Sequence, residues 1–576
     1  MTEFFNKYKT NIEIFVVSLA FWAGSVISSG KIFTSDELNM ASLPKDYSMA
    51  PLMSILSKVL AFCVYYFGFL FLSKIRRRYD RSWYVFFGTL AIYLILFFAS
   101  YPGYYMSDDA VIFGYATRFL PVYWHNYLTS LYFMTAMTIV PASVAPFLLN
   151  CCILAAVSTY LYMKDGKLML IFSVLPFTLL SALMCFRPVL YAPVFLFFFA
   201  YMYYDVLHRA DRNEVSVKKT VILSILAAVL CLWRSEGIVL IFFCIFLVPY
   251  SLMAPDKKKD PAGENDENVS DAKGIKVGDA DLFDDERDPF EDAFKAGEER
   301  RSEPLQNEKR KQSAKVAGLI FFVVFALAFS VIKIPQTTGE EKYYGSDYLI
   351  LATVRPLSLI IHRDQTYPGA EEDLENINKI VKLDYLSYET LSCTAFHRYN
   401  SDKNSGAYTQ TLADKKTQSD YLKSAFRMIY HNLDLYIAER IQLFLITNGI
   451  YDYDPGLVMG MKPVETSQYA LYSGDRDYGL VLIDGNKRLD INGTDKIAKF
   501  LFAAGGEAYI PMLVILIVSL VISIIKKNWF IAVTLLSLLA REGVIFLTAP
   551  ASFIQYSYPM MFVTAWAFLV CIKRRT

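Results

Sequence analysis

The chain has 576 residues, 55% of them hydrophobic and 16% aromatic, and its 57 Lys+Arg and 56 Asp+Glu leave a net charge of +1. That balance excludes an ordinary water-soluble enzyme and a disordered chain, and it lacks the basic excess of a nucleic-acid binder. Yet 20% charged residues is too many for lipid-buried helices alone, so the charge must be concentrated in particular segments.

A spanning helix needs roughly 20 mostly apolar residues. Runs of that kind fall at about 11–29, 52–73, 83–100, 144–163, 168–185, 190–204, 220–233, 237–252, 316–332, 509–525, 529–547 and 558–572. They predict an all-α polytopic membrane protein with about twelve transmembrane helices. The first run has no small-residue cleavage site and reads as a signal anchor. Basic loops stay in the cytoplasm. Here they are Lys74 to Arg81, 208–219, 309–315, Lys526 with Lys527, and the tail Lys573, Arg574 and Arg575. All fall on one side only if a further apolar stretch, 127–140, does not cross. That stretch is therefore expected to be an interfacial or re-entrant helix on the outer side. The expected localisation is the cell membrane, with both termini cytoplasmic.

The domain plan follows. A transmembrane pair (1–82) precedes a transmembrane module (83–252) whose outer loop is 101–143. Residues 253–315 are acidic over 256–297, with few large apolar side chains beyond Leu282, Phe283, Phe290 and Phe294. Such a segment cannot bury a core and reads as a disordered cytoplasmic insert. After a span at 316–332, residues 333–500 form an extracytoplasmic domain, mixed or mainly helical. Helical periodicity runs over 421–445 and 371–381. The last spans occupy 501–576. Seven of the 8 cysteines lie in or beside apolar runs, which suits small core residues rather than disulfides or zinc.

Charges inside or against a bilayer are costly, so each is a candidate for function. The loop Tyr101-Pro-Gly-Tyr-Tyr-Met-Ser-Asp-Asp109 puts two carboxylates, Asp108 and Asp109, just past a span. They could take a proton from a hydroxyl, or simply start a helix. His125 follows Trp124 at the head of the non-crossing stretch. Arg187, in Cys185-Phe-Arg-Pro188, could hold a phosphate or snorkel to headgroups. Arg234 and Glu236 sit in Trp233-Arg-Ser-Glu-Gly237, where Arg234 could meet a phosphate and Glu236 could hold Arg234, or the two could form a structural pair. Arg541-Glu542 lies well inside a span and must face the bundle interior.

At these residues the chain resembles the polytopic GT-C glycosyltransferases. The nearer likeness is to the bacterial aminoarabinose and galacturonosyl transferases, and protein O-mannosyltransferases are more distant. Pro102-Gly103 followed by Asp108-Asp109 is similar to the family's outer-loop acidic motif. His125-Asn126-Tyr127 is similar to its His-Pro-aromatic helix start, with Asn126 in place of the proline. Trp233-Arg-Ser-Glu-Gly237 looks like its Arg-x-x-Gly turn. Gln555-Tyr556 stands where relatives often have Arg-Tyr. The resemblance implies a GT-C-like fold and transfer of a sugar from a polyprenyl-phosphate donor to a lipid, glycan or protein acceptor on the outer face. It implies Asp108 or Asp109 as general base, with Arg187 and Arg234 on the donor phosphate, and His125, Glu236, Gln555 and Tyr556 as substrate contacts. Some relatives use a divalent cation, and an Asp pair offers too few ligands to decide.

Other readings remain open. A polysaccharide-repeat polymerase or ligase would place its essential residues in 333–500. A transporter or flippase of lipid-linked glycans would show two similar halves, and no clear repeat is present. A scaffold would depend on the acidic insert.

Overall fold

The computed structural model describes residues 2–36, 45–78, 80–101, 103, 107–185, 187–207, 217–253, 289–343, 347–388, 414–447, 497, 500–501, 504–505, 508–549 and 556–573. No β-strand occurs among them. The protein is an all-α, multi-pass membrane protein. Seven helices among the described residues are long and apolar enough to cross a bilayer. They lie within α1 (Thr2–Ser29), α2 (Ala50–Arg78), α3 (Asp80–Ala99), α6 (Ala145–Asp165), α9 (Arg187–Tyr201, continued by a π-helical turn, Met202–Leu207), α12 (Pro289–Tyr343) and α19 (Trp529–Thr548). α18 (Tyr509–Ile525) and α20 (Tyr558–Ile572) are shorter and apolar. α10 (Val217–Trp233) and α11 (Val239–Met253) flank a tight 3-10 turn, Ser235–Ile238.

The expected crossing at 168–185 is not one helix. It breaks into a 3-10 turn (Lys167–Met169), α7 (Leu170–Ser173) and α8 (Pro176–Ser181). Pro176 lacks the amide that would continue the helix, and it holds Leu175 in an extended conformation. The stretch at 127–140 does stay short. It forms α5 (Tyr127–Ile139), 13 residues, well under crossing length. It is apolar on every face, and ten of its residues are buried, so it is a helix sunk in the bundle rather than one lying on the lipid surface. The insert also differs from expectation. Residues 254–288 lie outside the described residues, but 289–315 run as helix straight into the span of α12. Glu, Lys, Arg and Ala, all good helix formers, dominate there.

The spans share one continuous core. α10 packs along α12, α3 along α6, α9 against α20, and α11 against α19. The basic residues gather at one end of the bundle. Asp205 accepts from Tyr160 at 2.6 Å and from Lys164 at 2.8 Å, and its carbonyl accepts from Lys219. Lys573 reaches Asp165 at 2.9 Å, and Lys526 donates to the Cys571 carbonyl.

At the other end sits a small helical domain with its own core. It is built from α13 (Asp347–Ile360), α14 (Ala370–Asn378), α15 (Leu383–Tyr388), α16 (Lys415–His431) and α17 (Leu433–Thr447). The periodic run at 421–445 is two helices, because Asn432 leaves helical geometry and turns its amide back onto the Met428 carbonyl at 2.9 Å. The domain is fastened to the bundle through α19. Arg440 donates to the Ala549 carbonyl at 2.7 Å, and Tyr436 to the Leu547 carbonyl at 2.5 Å. A cation on the last carbonyls of a helix meets both their unfilled acceptors and the negative end of its dipole. Glu439 lies between Arg440 and Arg355, and all three are fully buried.

Candidate functional site

Two chain segments far apart in sequence build one buried polar cluster near the domain end of the bundle. The first is the turn between α10 and α11. Gly237 closes it by donating to the Arg234 carbonyl at 2.9 Å. A Cβ on Gly237 would stand 2.4 Å from the Leu230 carbonyl oxygen, so only glycine lets the chain double back this closely. The turn aims Arg234 and Glu236 inward, and both are buried. The Arg234 Nε donates to Glu236 Oε1 at 2.6 Å.

The second segment is α19. Arg541 donates to its neighbour Glu542 at 2.9 Å, to Glu236 Oε1 at 3.1 Å and to the Tyr556 carbonyl at 2.7 Å. Glu542 accepts in turn from Tyr509 at 3.1 Å and from Ser557. Arg541 and Glu542, read from sequence only as interior-facing, thus belong to the same site as Arg234 and Glu236. Arg187, at the start of α9, lies within electrostatic reach of both Arg234 and Glu236.

Charge counting gives the cluster its character. Among the described residues three guanidinium groups (Arg187, Arg234, Arg541) gather with two carboxylates (Glu236, Glu542), all buried except the partly exposed Arg187. Among the described residues each arginine also keeps a buried N–H that makes no hydrogen bond: Arg187 Nε, Arg234 Nη1 and Arg541 Nε. Buried donors without acceptors are costly, and an anion would satisfy these donors.

The outer-loop motif comes close to this cluster. α4 (Ser107–Ala116) carries both carboxylates on its first turn. Asp109 is buried and lies within electrostatic reach of Cys185, two residues before Arg187. The Asp108 side chain lies outside the described residues. Gly103, at φ +90°, sits against the Phe147 ring, where a Cβ would stand 2.6 Å from a ring carbon. That contact explains the glycine of the Pro-Gly pair.

The helix start at His125-Asn126-Tyr127 docks on the end of α10. Asn126 donates to the Leu232 carbonyl at 2.7 Å and accepts from the Leu128 amide at 3.0 Å, while Trp233 donates to Thr129 at 3.0 Å. Asn126 has φ +62°. Proline cannot take that angle, so the departure from the His-Pro pattern reflects a different local backbone. The His125 ring is half-buried and stands edge-on to Trp124, with centroids 5.9 Å apart. Gln336 of α12 locks this corner by accepting from the Tyr127 amide at 3.0 Å and donating to the Tyr123 carbonyl at 2.6 Å. Tyr123 donates to Asp46 at 2.8 Å. Burial pushes the Asp46 carboxyl up, but hydrogen bonds from Ser48 and Tyr123 outweigh this and hold it below its ordinary value.

Of the remaining expected contacts, Tyr556 enters through its main chain, as the acceptor for Arg541, and Gln555 lies outside the described residues. Among the described residues no three His, Cys, Asp or Glu side chains gather as metal ligands. Comparison with protein-family models, curated proteins and solved structures returns no match for the chain.

Proposed function

We propose that the protein is a membrane glycosyltransferase of GT-C type. It transfers a sugar from a polyprenyl-phosphate donor to a lipid, glycan or protein acceptor, and the domain end of the bundle faces outward. The observation that carries this reading is the arginine cluster, in which each of three guanidinium groups keeps a buried N–H with no hydrogen bond among the described residues. A phosphate on a lipid tail fits such a site. Its oxygens match guanidinium forks, and its chain can remain among the apolar helices.

In the proposed reaction the acceptor hydroxyl gives its proton to an Asp carboxylate of α4. Its oxygen attacks the anomeric carbon from the face opposite the phosphate. The bond from that carbon to the phosphate oxygen breaks, and the electron pair leaves with the polyprenyl phosphate. Arg187, Arg234 and Arg541 stabilise the charge that grows on the departing oxygen. In a water-poor site this is the larger part of catalysis. Asp109 is the better-supported base because its buried carboxylate stands on the Arg187 side of the bundle. Glu236 and Glu542 orient the arginines and keep the empty site tolerable.

Transfer from a labelled polyprenyl-phosphate sugar, in membranes carrying wild type, Asp108→Asn or Asp109→Asn, tests the reading. Loss of transfer in at least one variant is expected. Undiminished transfer in both overturns the mechanism. Tight donor binding without transfer by the wild type would instead favour a lipid-linked glycan carrier.

A further inference from the structure

The helical domain at 347–447 has an uneven surface. Among its described residues, the exposed large apolar side chains all lie on α16 and α17. They are Phe426, Tyr430, Leu433, Ile437 and Ile441, exposed by 40–69%. None of the described side chains of α13, α14 or α15 is of this kind. Within each helix the spacing is four residues (Phe426 and Tyr430 on α16; Leu433, Ile437 and Ile441 on α17), which puts the exposed apolar side chains of each helix on one face, as a stripe. The opposite faces (Tyr421, Ala425 and Met428 on α16, Glu439, Arg440 and Leu443 on α17) are buried. The stripe is therefore a second, outward apolar face and not part of the core.

Its position identifies what covers it. α17 crosses the last turn of α19, where Tyr436 donates to the Leu547 carbonyl. Arg440 meets Ala549, at the helix end, and one turn further along α17 Phe444 meets Phe546 and Tyr509, with ring centroids 6.2 Å apart in both pairs. Phe546 is deeper in the span than Ala549, and Tyr509 is the first residue of α18. Ile441 therefore stands level with the ends of two membrane helices. On α19 the lipid-facing surface continues with Leu547, itself 44% exposed.

We propose that α16 and α17 form a monotopic anchor, with Phe426, Tyr430, Leu433, Ile437 and Ile441 immersed in the lipid leaflet at the domain end. The occupant of this face is phospholipid. The polar neighbours fit the arrangement. Asp434, paired with Arg363 at 2.7 Å, lies at the start of α17, the end away from Phe444. Lys423, beside Phe426, is exposed and can reach headgroup phosphates, while Arg427 pairs with Asp373 at 3.4 Å. The anchor holds the domain over the arginine cluster whether or not the protein transfers sugars.

Photo-crosslinking in phospholipid vesicles tests this on the full-length chain. The photoreactive amino acid p-benzoylphenylalanine is placed singly at Tyr430, Ile437 and Ile441, all exposed positions where a large apolar side chain leaves the core untouched. Glu372, exposed on α14, serves as control. Mass spectrometry should show phospholipid adducts at the three stripe positions, at least several-fold above Glu372. Adduct levels at Ile437 and Ile441 equal to those at Glu372 would overturn the proposal. So would a protein–protein crosslink at these positions in place of lipid, which would assign the face to a second copy of the chain.

Discussion

Glu236 and Arg541 are 305 positions apart in the chain and meet at 3.1 Å inside the bundle. The same Glu236 oxygen also takes the Arg234 Nε at 2.6 Å, so one carboxylate restrains two arginines, one from the turn after α10 and one from α19. Replacing Glu236 with Gln leaves two buried guanidinium groups short of a counter-charge. Breaking a buried pair in this way costs about 3–5 kcal/mol. Glu236→Gln should lower the thermal unfolding midpoint in detergent, and a polyprenyl phosphate should restore part of the loss. No shift in midpoint would mean the pair does not restrain the site.

Asp109 and Asp108 can be separated by kinetics. Loss of a general base lowers turnover by about 10²–10⁴-fold. That loss is expected for Asp109→Asn, with donor binding retained, since the arginines are untouched. A larger loss for Asp108→Asn would move the base to Asp108.

Gly237 is the tightest point of the site. Ala there would push its Cβ against the Leu230 carbonyl, which is backbone and cannot swing away. Gly237→Ala should displace Arg234 and Glu236 together. Transfer should fall at least tenfold, with destabilisation of about 1–3 kcal/mol, the usual cost of overpacking. Wild-type transfer by the variant would show that the turn tolerates a wider loop.

Asn126 offers a contrast of three substitutions. Gly keeps the left-handed backbone but loses the side-chain cap. Ala loses the cap, worth about 1 kcal/mol, and also strains at φ +62°. Pro cannot adopt the angle at all. Unfolding midpoints should fall in the order Asn, Gly, Ala, Pro. Equal midpoints for Asn and Pro would contradict the observed turn.

The Asp46 corner sets an acid limit. Its carboxyl is held below its ordinary value of 3.8 in the folded protein, so the folded state favours the ionised form. That contribution is complete well above pH 3.8 and is lost as the pH falls through the lower folded value. Tyr123→Phe removes one of the hydrogen bonds responsible. Its destabilisation relative to wild type should be visible at pH 6 and shrink below about pH 3.8. A difference that stays constant with pH would detach Tyr123 from the Asp46 ionisation.

The all-α, multi-pass character was legible in the chain, because long apolar runs mean the same thing wherever they occur. Reading ended where local rules met tertiary ones. The 168–185 stretch is apolar enough to cross, but Pro176 divides it. Arg541 was visible as a charge in a span, yet its partnership with Glu236 is a matter of how α11 packs on α19, and nothing in either segment announces it. Gln336 gave no signal, being a single amide in a helix, although it ties Tyr127 to α12. Arg234 and Glu236 were found early because two opposite charges in a short turn between apolar runs have few ordinary explanations. The stripe on α16 and α17 was seen as helical periodicity, but that pattern alone does not tell an inward face from an outward one.

The shortness of α10 has a consequence for the bilayer itself. Lys219, near its start, is tied to the basic end, and the helix has only 17 residues. That is about 25 Å of rise against a hydrocarbon thickness of about 30 Å. Arg234 therefore stops several ångströms short of the far headgroups. Arg541 comes seven residues before the end of α19, which is about 10 Å of rise. The charged cluster is countersunk below the membrane surface. Lipid beside α10 and α11 must thin, or water must dip inward, to meet it. A lipid phosphate entering from that leaflet would then travel sideways and slightly down, with no need for its chain to leave the hydrocarbon.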